Sequence, residues 1–261
     1  MIPTESPPML PFFAGSLAFL HQELLARRPR MERINQGFAN EPVLSTRLLF
    51  LANQQWPQSC LHVSSALALL SLDDVREALS ARLGSPYANG VHADSHYVVW
   101  RRYSIQVARV ARSLARDLYL NEQLAYSAGL LHAIHMLMPQ VESASDIQPK
   151  QTQPSDLALL REQAFPLFGL LLNAHCFKKS AALMRQWQLP DGLSDVIKDC
   201  EKPFDDEIFR PLAAVLHLAI WRVCIASLGA ANSTLAYPAE IALSLGMDMD
   251  MVLHQEPIRW K

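Results

Sequence analysis

The chain has 261 residues, half of them apolar, and its 23 basic and 25 acidic side chains give a formal net charge of −2. That length carries one large or two modest domains with a substantial core, and that charge balance excludes a globally basic nucleic-acid binder, though not a local basic patch. Four scattered cysteines, Cys60, Cys176, Cys200 and Cys224, without a C-x-x-C spacing, exclude a disulfide framework or zinc ribbon and fit a reduced, cytoplasmic protein.

The N-terminal stretch "MIPTESPPMLPFFAGSLAFLHQ" has no basic region ahead of its apolar part, so it does not read as a signal peptide. Apolar periodicity between prolines predicts helices over 15–28, 31–39, 43–54, 62–70 and 73–83. A turn-rich segment, "LGSPYANGVHAD" (83–94), then divides a shorter N-terminal part from a longer C-terminal part. Further helices are expected over 94–118 and 121–138, and the polar, proline-punctuated segment 139–155 reads as a mobile loop. Helices over 155–164, 167–187, 191–200, 207–229, 237–245 and 248–254 complete the chain. The most apolar of these carries Arg210, His217 and Arg222, which marks a buried helix rather than a membrane span. Nine glycines is about half the usual roughly 7%. Strict two-residue alternation is absent, so the fold class is all-α.

Helix 94–118 has two faces. Arg102, Arg109, Arg112 and Arg116 fall on one side at 3.6 residues per turn, with Trp100, Val107, Ala111, Leu114 and Leu118 opposite. The arginines are either a solvated face or a strip for an anionic ligand or acidic partner. Earlier, the acid–proline pair Glu41-Pro42 reads as a helix start, since the missing N–H of a first-turn proline has no intrahelical partner to lose. That helix ends at Asn53.

In "GLLHAIHMLMP", His132 and His135 stand three residues apart and would share a helical face. Two imidazoles do not hold a catalytic metal alone. Further ligands would have to come from His175, Cys176 or Asp199. The simpler reading has His132 hydrogen-bonded to nearby backbone or Tyr103, and a positive His135 near a helix C-terminus. Adjacent His175 and Cys176 point about 100° apart on a helix and form no nucleophile pair. Trp187 and Pro190 read as a helix-end packing unit. Serine-hydrolase elbow, phosphate-loop and zinc-protease motifs are all missing.

The order of these pieces resembles a known family. "EPVLSTRLLFLANQQW" is followed by "YVVWRRYSIQVARVARSLA", "LAYSAGLLHAIHMLMP" and "ALMRQWQLPDGLSDVIK". The matching residues are Pro42, Leu44, Leu48, Leu49, Ala52, Asn53, Trp100, Ser104, Val107, Ala108, Gly129, Leu130, Leu131, His132, Ile134, Trp187, Leu189 and Pro190. Together they resemble the HDOD family, the HD-related output domain of bacterial signalling proteins, over residues 10–225.

The resemblance implies an all-α fold with a helical N-terminal subdomain (10–88) packed on an HD-like C-terminal subdomain (92–225). A helical extension (226–261) would follow. HD hydrolases hold a divalent metal with a histidine, a His-Asp pair and a later aspartate. Here the aspartate of the pair is Ala133, the first-histidine position before Ser104 holds Tyr103, and Asp195 and Asp199 lack a ligand context. The expectation is therefore a non-catalytic regulatory module with no catalytic residues, metal or cofactor. Tyr103, His132 and His135 would mark a vestigial pocket. The partner would be a signalling protein, with a nucleotide as a possible ligand and neither membrane nor sequence-specific nucleic acid. No receiver, GGDEF or EAL segment is present. The rival readings are a metal-dependent HD-type phosphohydrolase and a nucleotide-binding module using the arginine face.

Overall fold

The computed structural model describes residues 12–80, 95–137, 175–205, 208–228 and 237–255. The segments expected as loops at 83–94 and 139–155, the helix expected at 155–164, the first part of that at 167–187 and the side chain of His175 lie outside the described residues. What is described is all-α apart from one short hairpin.

The N-terminal half contains α1 (Ala14–Leu25), α2 (Met31–Ala39), α3 (Pro42–Gln55), α4 (Val63–Leu69) and α5 (Leu72–Ser80). Its core gathers Leu20, Ile34, Phe38, Leu44, Leu48 and Leu49, all fully buried. Pro42 opens α3 as expected. At the other end, Asn53 pins the following turn. Its Nδ2 donates to Leu49 O (2.8 Å) and Cys60 O (3.0 Å), and its Oδ1 accepts from Cys60 N–H (3.1 Å). Both halves of the amide are satisfied at a buried position, where an unpaired polar group would be costly.

The C-terminal half contains α6 (Ser95–Asp117), α7 (Glu122–Leu131), a short 3₁₀ turn (Ile134–Leu137), α8 (His175–Gln186) and α9 (Asp191–Asp199). A two-stranded antiparallel hairpin, β1 (Phe204–Asp205) with β2 (Ile208–Phe209), comes next. Helices α10 (Pro211–Leu228), α11 (Ala239–Ser244) and α12 (Met249–Leu253) follow. The helix expected from 207 starts at Pro211 instead. Phe204 pairs with Phe209 and Asp205 with Ile208, with the Phe204 and Phe209 rings stacked at 4.9 Å, and the proline supplies the helix start.

Helices α6 and α7 cross in close contact because Gly129 has no side chain. A Cβ there would lie 2.6 Å from the Ala108 Cα, so any larger residue must push the backbones apart. The tryptophan–leucine–proline unit is a helix stop. Gln188 takes φ +55°, Leu189 N–H reaches back to Met184 O (2.9 Å), and Pro190 begins the next helix. Trp187 and Leu189, each 1% exposed, anchor the turn in the core.

The helix expected over 121–138 breaks after Leu131. The His132 ring supplies the reason. Its Nδ1 lies 2.7 Å from Gly129 O, the carbonyl to which the Ala133 N–H would otherwise bond in a continuing helix. A carbonyl only accepts, so Nδ1 carries the proton.

The two halves are joined at Glu41. Its carboxylate was expected to mark a helix start, yet it makes no capping bond to α3. It reaches across to α6, accepting from the Tyr97 hydroxyl and from Arg101 Nε (2.8 Å), and is fully buried. Arg101 also bonds Ser16 Oγ (3.3 Å) and lies over the Phe13 ring, so one guanidinium ties α1, α3 and α6. Burial raises the Glu41 pKa, opposed by Arg101 and Tyr97. Nearby, the Tyr126 hydroxyl on α7 donates to Ala39 O (2.9 Å) at the end of α2.

Candidate functional site

Two polar places border α7. One is the position at which the sequence suggested a remnant of a metal site. Tyr103 from α6 and His132 from the end of α7 meet there, with His132 Nε2 3.2 Å from the Tyr103 hydroxyl. Since Nδ1 holds the proton, Nε2 accepts and the tyrosine donates. Trp100 packs edge-on against Tyr103, and Phe177 from α8 lies 6.2 Å from the His132 ring. His132 is fully buried and Tyr103 is 3% exposed. Burial pulls the His132 pKa from 6.5 down to about 4, so the ring is neutral. Burial, together with the neighbouring Cys224, pushes the Tyr103 phenol well above its usual range.

His135 does not share a face with His132. After the helix break it turns toward α8, where Nδ1 meets Ser180 Oγ (2.8 Å) and Nε2 lies 3.3 Å from Cys176 Sγ. The sequence reading gave His135 a positive ring at a helix end. Instead burial, helped by Lys179, lowers its pKa to about 4, and the ring is neutral. Burial raises the Cys176 thiol to about 12, so it is no ready nucleophile.

Of the suggested extra metal ligands whose side chains are described, Cys176 approaches a histidine. Asp199 pairs with Arg210 (2.9 Å) and Asp195 with Arg185. Among the described residues no three His, Cys, Asp or Glu side chains are placed to hold a metal ion. The donor set therefore does not fit the metal of an HD hydrolase. Ala133 has no donor atom, and both His132 nitrogens are engaged.

The second place is a cleft of about 80 Å³ between the two halves. Asn35, His62 and Ser64 line it from the N-terminal side, and Arg112, Gln123 and Ser127 line it from the C-terminal side. The arginine strip divides around it. Arg102 is exposed, and Arg116 is exposed and paired with Glu122 (2.9 Å). Arg109 and Arg112 are half-buried rather than part of a solvated face. The Arg112 guanidinium lies 5.1 Å over the Tyr126 ring, in a cation–π arrangement.

His62 caps α4. Its Nδ1 accepts from Ser65 N–H (3.1 Å), and burial lowers its pKa. The neutral ring must then carry its proton on Nε2, which has no hydrogen-bond partner among the described residues, and the ring lines the cleft.

Sequence reasoning found Arg112 but missed Asn35, His62, Gln123 and the Glu41 junction. His62 was detectable in principle, as a polar residue just before the apolar run of α4 with Ser65 three positions on. The others depend on which helices touch.

The architecture defines the class. This is an all-α protein whose two helical halves join through a buried acid, with a Gly-Leu-Leu-His crossing in the second. The family model for the HDOD domain matches residues 10–203, and the chain belongs to the HDOD family. No curated protein matches it. Among solved structures it is similar to the MmoQ response regulator from Methylococcus capsulatus, at 18% identity and a TM-score of 0.65 over 98% of this chain and 99% of that one. It is also similar to a virulence factor from Campylobacter jejuni, at 12% identity and a TM-score of 0.54 over 97% and 94% of the two chains. A Shewanella amazonensis structure named for a phosphohydrolase activity aligns at 19% identity over 94% and 89% of the chains. Its TM-score of 0.43 is too low to bear on chemistry. These similarities concern the fold. No described helix is long and apolar enough to cross a membrane.

Proposed function

We propose that this HDOD protein is a non-catalytic signalling module, which acts in the cytoplasm by binding a protein partner or a small regulatory ligand. The carrying observation is the engagement of the Tyr103–His132 pair. A hydrolytic metal needs about three protein ligands and an open position for water. Here the one histidine retained from the pattern has its Nδ1 proton on Gly129 O and its Nε2 lone pair on Tyr103, and is itself fully buried. Metal binding there would require expelling a buried hydroxyl and would still lack a carboxylate. Four free, buried cysteines suit a reducing compartment.

The test is elemental analysis of dialysed, tag-free protein, beside phosphodiesterase assays with manganese or iron. The expected result is metal far below one per chain and turnover at background. One metal per chain, lost in His132→Ala, would overturn the reading.

A further inference from the structure

We propose that the cleft between the halves is a binding site for a single phosphate group carried on a small molecule. This rests on the binding-module reading above and names the ligand class. Four observations carry it. First, the cleft is lined by donors: the Arg112 guanidinium, the His62 imidazole with its proton on Nε2, the Asn35 and Gln123 amides and the Ser127 hydroxyl. Second, no acidic side chain lines it among the described residues. Third, no ion pair among the described residues engages Arg109 or Arg112. The acid next to Gln123 in sequence, Glu122, is held instead by Arg116. Fourth, the volume of about 80 Å³ exceeds the 10–15 Å³ or so that one water requires, and it suits one tetrahedral anion rather than a whole nucleotide. Ser127 is 4% exposed, so part of the lining is already desolvated, where a charge-assisted hydrogen bond is strongest.

Arg112 is held for this task. Its stacking on Tyr126 limits the positions of the guanidinium, and Tyr126 is fixed in turn by its bond to Ala39 O. A planar fork of donors pre-oriented in this way matches phosphate oxygens in a manner lysine cannot. The ligand would touch Asn35 and His62 on one half and Arg112, Gln123 and Ser127 on the other. Binding would therefore draw the halves together.

The experiment is calorimetric titration of the full chain at matched ionic strength with inorganic phosphate, glycerol phosphate and a nucleoside 5′-monophosphate. The wild type is expected to bind inorganic phosphate. Arg112→Gln should weaken binding about tenfold or more, and exposed Arg102→Gln less than about twofold. Tighter binding of the monophosphate would identify a nucleotide, and equal binding of all three a phosphate carrier without a base. Should Arg112→Gln fail to fold, Asn35→Asp places a carboxylate in the cleft and should weaken binding similarly. No binding by any probe, or equal losses in the Arg102 and Arg112 variants, would overturn the site. Phosphate released from the probes would instead refute the non-catalytic reading and leave the site standing.

Discussion

Helix α7 borders two polar regions that differ in what their donors are doing. At Tyr103–His132 each imidazole nitrogen has a partner inside the protein, and the rings of Trp100 and Phe177 close around the pair. At the cleft, among the described residues, Arg112 has a ring beneath it but no acid in the lining, and the His62 Nε2 proton has no partner. A polar group saturated by its own protein stabilises and positions, and an unsaturated one is available to a ligand. By that criterion the site suggested by sequence is structural, and the cleft that needs both halves is the binding candidate.

The sharpest way to break the comparison is to unfasten the junction. Glu41→Ala leaves Arg101 and Tyr97 without the acid between them, and removing one member of a buried ion pair costs about 3–5 kcal/mol. Glu41→Gln keeps the shape and an acceptor oxygen and should cost much less. Urea unfolding measures both. The cleft should lose phosphate binding in the alanine variant, whereas the Tyr103–His132 pair, built wholly within the C-terminal half, should survive in whatever remains folded. A cost below about 1 kcal/mol for Glu41→Ala would show that apolar packing, not the acid, joins the halves.

The sequence made the helices and the individual motifs legible, because apolar periodicity and proline placement are local. Pro42, Asn53, Gly129 and Trp187-Leu189-Pro190 stand where their chemistry acts. What stayed hidden is non-local. Glu41 looked like part of a helix start because proline follows it, and only the arrival of Tyr97 and Arg101 from 56 and 60 residues away reveals a tie between halves. The helix over 121–138 looked continuous because periodicity cannot show a histidine ring taking a backbone carbonyl. The arginine strip stayed open between a solvated face and a ligand strip because a single helix does not show that Tyr126 of α7 lies under Arg112.

The pH dependence of stability sharpens the contrast. The folded His132 pKa, about 4, lies below its ordinary 6.5, so the unfolded chain binds an extra proton between those values. The stability this contributes is fully present above pH 6.5 and is lost as pH falls toward 4. A shift of this size amounts to roughly 3 kcal/mol by the lower limit. His135 acts in the same direction. Glu41 opposes them, because its raised pKa means that the folded state holds a proton the unfolded state has released just above pH 4.5. Melting temperature should therefore fall from pH 7 to pH 4.5, and His132→Gln should flatten the fall while lowering stability at pH 7. An unchanged slope would mean that His132 takes up its proton as readily in the fold as in the unfolded chain, so that burial does not hold the ring neutral.

The smallest expected effect comes from Arg116→Gln, and it probes the edge of the cleft. Arg116 is exposed and Glu122 partly so, and pairs of this kind contribute about 0–1 kcal/mol. Chemical denaturation should change within about 0.5 kcal/mol. The pairing has a second consequence, because Glu122 precedes Gln123, which lines the cleft. Without Arg116 that carboxylate is unneutralised near the proposed phosphate position, and at about 0.15 M salt charges within roughly 8 Å still interact. Phosphate affinity should fall by about twofold at low salt and recover as salt is raised, since exposed charges are screened. A stability loss above 1 kcal/mol would mean that Arg116 packs as well as pairs. Stability held with phosphate affinity unchanged at all salt concentrations would place Glu122 outside the field of the cleft, leaving Arg112 to set its potential alone.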